Sequence, residues 1–119
     1  MKSLGDNYEN AAARWLQAQG LTIIARNYSC RAGELDLIAR DCSHLVFIEV
    51  RARSSPRFAS AAASVDRRKR RRLILVAQWF LQQHPQLAQL PCRFDVIAFQ
   101  PRQSTSGQTP RWIRSAFTN

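Results

Sequence analysis

The sequence predicts an α/β protein in which two helices flank a sheet, in the order helix, three strands, helix, two strands. Three observations carry this. The stretch from Gly33 to Arg53 reads as two apolar strands around a short polar break, the stretches before it and after it show helical periodicity, and strand-like segments recur near the C-terminus. At 119 residues the chain is the size of one domain, 1–119, able to bury a core without disulfide or zinc support.

Residues 6–19 form the first helix. Tyr8, Ala12, Trp15, Leu16 and Gln19 recur at helical spacing, and Gly20 stands where a left-handed residue ends a helix. Glu9 borders that stripe in the first turn, where a carboxylate also complements the helix dipole. Residues 21–28 (LTIIARNY) make the first strand, and Arg31-Ala32-Gly33 turns the chain into the hairpin.

Within the hairpin, alternation puts Leu35, Leu37 and Ala39 on one face and Glu34, Asp36 and Ile38 on the other. The second strand, residues 44–53, is apolar on both faces along most of its length, as expected of a central strand covered on both sides. Symmetry about Cys42 and Ser43 sets Ile38 opposite Phe47 and Asp36 opposite Glu49. Two carboxylates side by side repel unless a positive charge lies between them, and a hard divalent cation, Mg2+ or Mn2+, meets that need. Arg51, two residues past Glu49, adds a base on the same face. Two acids, a spacer and a base suit phosphodiester cleavage, although a solvated surface ion pair between Glu49 and Arg51 would produce the same pattern.

A loop over about 54–63, mobile until a ligand arrives, leads to a helix over about 65–83 with Ser64 as its cap, ending before Pro85. Leu73, Val76, Ala77 and Phe80 are its buried stripe, and one turn earlier that stripe reaches Lys69. The neighbouring Arg67, Arg68, Arg70 and Arg71 point elsewhere. Residues 93–99 and 112–117 supply the last two strands, joined across the polar loop that begins at 101. Asp95, within the first of these strands, reads as a structural acid held by an arginine.

The net charge is +10, and nine cationic residues between positions 51 and 72 face Asp66 alone. A polyanion is the natural partner. Six consecutive basic residues at a helix start oppose the dipole and repel one another, which phosphate binding relieves; Arg53 and Arg57 extend the same patch. Cys30, Cys42 and Cys92 have neither paired nor zinc-type spacing, so packed, reduced thiols are expected. No apolar run approaches the ~18 residues that span a bilayer, and the expected location is the cytoplasm. Nucleotide-binding glycine patterns are missing, which argues against nucleotide hydrolysis.

Glu9 with Ala12 and Leu16, Asn27-Tyr28, the run from Gly33 to Ile38, the run from Leu45 to Arg53, Val65-Asp66, Lys69 and Arg93-Phe94-Asp95-Val96 together resemble the bacterial YraN family. That family in turn resembles the PD-(D/E)XK nucleases, particularly the archaeal Holliday-junction resolvases. The resemblance implies a restriction-endonuclease-like αβββαββ core with a mixed central sheet, metal-dependent endonuclease activity on branched or structured DNA, and a homodimer. It makes Asp36 the motif aspartate, Glu49 the motif glutamate, Arg51 the occupant of the motif lysine position, and Glu9 an additional acid from the first helix. The metal ligands it implies are Asp36, Glu49 and Glu9, while the expected DNA contacts, read from the charge, are Arg53, Arg57, Arg67, Arg68, Arg70 and Arg71.

Two positions depart from the family pattern. Glu-x-Lys is here Glu49-Val50-Arg51, and Ala59 stands where glycine is usual. Arginine keeps the charge but does not release its proton, so it can stabilise a transition state without activating water. Lys69 is the sole well-placed lysine to take over part of that role, and a seam-closing ion pair with an acid is its alternative use. A nuclease fold without catalysis, binding nucleic acid for a partner, is the competing function.

Overall fold

The computed structural model describes residues 4–52, 66–99 and 109–117. Its elements are α1 (Leu4–Ala18), β1 (Thr22–Cys30), β2 (Gly33–Asp41), β3 (His44–Ala52), α2 (Arg67–Gln83), β4 (Cys92–Phe99) and β5 (Arg111–Phe117). The strands form one sheet in sequence order, β3 and β4 parallel and every other neighbouring pair antiparallel. This is the α/β, αβββαββ, restriction-endonuclease-like architecture with a mixed central sheet. The expected loop at 54–63, with Arg53, Arg57, Ala59 and the proposed cap Ser64, lies outside the described residues.

β3 is central because its two faces are both apolar. Leu45 and Phe47 pack with Leu73, Val76, Ala77 and Phe80 of α2, while Val46 and Ile48 pack with Tyr8, Ala12 and Leu16 of α1. The sheet therefore carries one core on each side. Ala11, Ala12 and Ala13 are all buried, so small side chains let α1 lie close to the strands.

Both helices are ended by local chemistry. Gly20, at φ 98°, donates to Gln17 O at 3.0 Å and Leu21 N donates to Leu16 O at 3.1 Å, the paired bonds of a Schellman cap. At the start of α2 the cap is Asp66, not Ser64: its Oδ1 accepts the Lys69 N–H at 2.8 Å. The helix begins one residue after this acid, and the cap fixes the angular position at which Lys69 leaves it.

Two expectations need correction. Leu35 and Ile38 both belong to the α2 core, whereas Leu37 and Ala39 belong to the α1 core, so Leu35 does not share a face with Leu37. β1 changes phase at the same level: Ala25 and Tyr28, three apart, both pack against the α2 core. The register itself shifts between Ile23 and Ala25 and is continuous from Arg26↔Leu37 to Tyr28↔Leu35; Asn27, between those pairs, takes a left-handed φ of 51°, which accompanies the change of face. The thiols are unpaired as expected, but Cys42 and Cys92 are exposed rather than packed. Cys42 occupies the β2–β3 turn and Cys92 the start of β4, positions that no helix covers.

Candidate functional site

The β2–β3 ladder follows the register read from the sequence, with Ile38↔Phe47 and Asp41↔His44, but its pairing stops at Leu37↔Ile48. Asp36 and Glu49 come immediately after, where the two strands part. Asp36 uses the opening to accept a hydrogen bond from the Val50 N–H through Oδ2 at 2.8 Å. Glu49 is buried, and the Lys69 ammonium from α2 meets its Oε2 in an ion pair. The charges touch without hydrogen-bond geometry.

A third acid arrives along β2 and a fourth from α1. Gly33, at φ 147°, turns β1 into β2 with a backbone conformation that side chains disfavour, and thereby sets Glu34 at the strand's first turn. Carboxylate oxygens of Glu9 (α1), Glu34 and Asp36 (β2) lie within 4.8 Å of one another. Gly33, Glu34, Asp36, Glu49, Lys69, Arg72 and Leu73 line one pocket of about 260 Å³.

The electrostatics of this pocket are unfavourable for the bare protein. Burial, followed by the hydrogen bond and charge of Glu49 and the charge of Glu9, pushes the Asp36 carboxyl up to about 9, against the opposing pull of the Val50 N–H. Asp36 is thus protonated at neutral pH when no cation is near. Three carboxylates give an all-oxygen donor set, and an acid that holds its proton because of desolvation and neighbouring carboxylates is suited to exchange it for a hard cation. The residues present fit Mg2+ or Mn2+.

Residues 8–99 match the family model described as "Uncharacterised protein family UPF0102". The chain belongs to this family. A UPF0102 protein of Xanthomonas campestris pv. campestris is 52% identical over 115 residues, covering 95% of this chain and 89% of the relative. UPF0102 proteins of Alcanivorax borkumensis and Methylobacillus flagellatus are each 48% identical, over 98% and 99% of this chain and 92% and 99% of their own lengths. The resemblance to the YraN family read from Glu9 through Val96 is resemblance to this same UPF0102 family.

On this UPF0102 fold Asp36, Glu49, Glu9 and Lys69 converge as the sequence led one to expect. Arg51, half-buried on β3, is not among the residues lining that pocket, where the cation paired with Glu49 is Lys69 of α2. Arg67, Arg68 and Arg71 are exposed along α2, whereas Arg70 is half-buried with its guanidinium 5.6 Å from the Phe117 ring centre. No α-helix among the described residues is long and apolar enough to cross a membrane.

Sequence reasoning missed two lining residues. Glu34 stands two positions before Asp36, a spacing that already put both on one strand face, but an acid at a strand start reads as solvated. Arg72 ends the basic run one residue before buried Leu73, and Lys69 to Arg72 is a helical i, i+3 step, so both can turn to the same pocket.

Proposed function

We propose that this UPF0102 protein is a divalent-cation-dependent endonuclease that hydrolyses phosphodiester bonds in structured DNA. The observation that carries the reading is the convergence of Glu9, Glu34 and Asp36 oxygens beside the Glu49–Lys69 pair in one pocket. Glu9, Glu34 and Asp36 would hold Mg2+ or Mn2+, which supplies Lewis-acid polarisation of the phosphoryl oxygen and acidification of water. Glu49 sits beside this donor set and orients Lys69.

Lys69 performs the part that Arg51 leaves open. Its ammonium, on a flexible stem, stands at the acids and can meet charge that develops on the scissile phosphate, while Arg72 in the same pocket adds a planar guanidinium donor. Exposed Arg67, Arg68 and Arg71 continue up the helix from the pocket and supply sequence-independent contacts to neighbouring phosphates. The partner is DNA, and one chain supplies all of these groups.

A specific feature favours a second reading, in which the fold binds DNA without cutting it: Lys69 is already neutralised by Glu49. Incubation with four-way junction, flap and linear DNAs in Mg2+ or Mn2+ separates the two. Cleavage is expected in the wild type and a loss of about 100-fold or more in Asp36→Asn. Lys69→Met is expected to lose about 10- to 100-fold at retained affinity. Binding without cleavage by the wild type establishes the second reading, and equal cleavage by Asp36→Asn contradicts the first.

A further inference from the structure

A second pocket, of about 290 Å³, lies between α1 and β1 and is lined by Asn10, Ala13, Arg14, Gln17, Ile23 and Arg26. Asn10, Ala13, Arg14 and Gln17 fall at i, i+3, i+4 and i+7, one stripe of α1 beside its buried face. The polar lining consists of two guanidinium groups and two amides, with no carboxylate. Arg14 and Arg26 are both exposed, and the Arg26 Nη2 donates to Asn10 Oδ1, which holds that guanidinium in place.

Each wall of the pocket carries a residue next to the acid cluster in chain or register. Asn10 follows Glu9 on α1, and Arg26 pairs with Leu37, the residue after Asp36. It also belongs to the α1 layer, whereas the basic run of α2 covers the other side of the sheet. An anionic strand that leaves the acids toward the α1 layer would meet Arg14 and Arg26.

We infer that this α1–β1 cleft is a second nucleic-acid contact, in which Arg14 and Arg26 hold phosphates of the DNA strand on the far side of the acid cluster from α2. The inference rests on the nucleic-acid reading of the site but not on catalysis. A planar guanidinium pinned by an amide presents its remaining donors in a fixed fork, the arrangement that phosphate recognition uses. DNA gripped on both layers is oriented across the acids, whereas α2 alone would leave its direction free.

The test is the salt dependence of binding to a fluorescently labelled four-way junction and a duplex, in Ca2+ and without divalent ions, by anisotropy. The variants are Arg14→Gln/Arg26→Gln, the exposed single Arg14→Gln, and a charge-matched control, Arg40→Gln/Arg111→Gln. If each cleft arginine neutralises one phosphate, the slope of log K against log salt falls in magnitude by about 1.8 in the double variant and by about 0.9 in Arg14→Gln. The control keeps the wild-type slope. Equal slopes in the cleft double and the wild type overturn the inference while leaving the nuclease reading intact. Equal losses in the cleft double and the control overturn it too, because net charge then suffices. A selective loss in a wild type that never cuts DNA upholds the cleft while the nuclease reading fails.

Discussion

Two aspartates on neighbouring parts of the sheet, Asp95 buried and Asp36 half-buried, have opposite surroundings. Asp95 on β4 is saturated with donors: Arg93 Nε at 3.1 and 3.2 Å, Trp112 Nε1 at 2.8 Å and Ser115 N at 2.9 Å. Arg93 reaches on to Asp41 at 2.9 Å, so one network ties β2, β4 and β5 together. Asp36 on β2 has one backbone donor and a surround of carboxylates. A buried carboxylate with every lone pair met is a clamp, and one held among other acids is a site waiting for positive charge.

The largest effect expected from this contrast is on stability. Asp95→Ala leaves the Trp112 and Ser115 donors and part of the Arg93 charge without their acceptor, and should cost about 3–5 kcal/mol in urea unfolding. Asp36→Asn keeps an acceptor for Val50 and, like the protonated carboxyl, carries no charge, so at neutral pH the cation-free protein should be about as stable as the wild type. Reversal of that order would end the distinction between clamp and site.

The pH dependence comes next. The Asp36 carboxyl is raised from an ordinary value of 3.8 to about 9, so the folded protein holds its proton more tightly than the unfolded chain does. Its stabilising contribution is therefore complete below about pH 4 and is lost as pH rises toward 9. In cation-free buffer the stability difference between wild type and Asp36→Asn should shift steadily against the wild type over that window. Saturating Mg2+ should abolish the shift, and a pH-independent difference would mean that Asp36 is not perturbed.

A smaller effect is expected at Asn27, where β1 changes phase opposite Asp36. Asn27→Gly should change stability by only a few tenths of a kcal/mol, because glycine accepts φ 51° freely. Asn27→Val should cost about 1–2 kcal/mol and disturb Asp36 before it disturbs Asp95, as read by the amide shifts of Val50 and Ser115.

Much of this arrangement is legible in the residues. The apolar faces of residues 45–48 mark a central strand, Cys42-Ser43 fixes the hairpin register, and the stripe from Leu73 to Phe80 turns Lys69 inward. What escapes has a physical cause in each case. Strict alternation cannot foresee a left-handed residue at Asn27, and it puts Leu35 on the face of Leu37 when the two lie on opposite sides of the sheet. Ser64 and Asp66 are equally good caps by type, and the choice between them depends on where the chain enters the helix. Asp95 was recognisable as an arginine partner, but Trp112 and Ser115 reach it only through the β4–β5 pairing. Glu34 carries a signal in its spacing from Asp36, yet only the approach of α1 brings Glu9 to both. Arg51 follows the motif spacing, while the cation that pairs with Glu49 in the pocket comes from α2 and carries no motif of its own.

The most direct test of the central claim is Mn2+ binding to the cation-free protein, followed by calorimetry and by the electron paramagnetic resonance signal of free Mn2+. The wild type should take up Mn2+ and release a proton near neutral pH, since Asp36 must give one up. Asp36→Asn should lose both the binding and the proton release, Glu9→Gln and Glu34→Gln should each weaken binding, and Arg51→Gln should leave it unchanged. Mn2+ uptake that is equal in wild type and Asp36→Asn, or no uptake by the wild type, would contradict the assignment of these acids to a cation site.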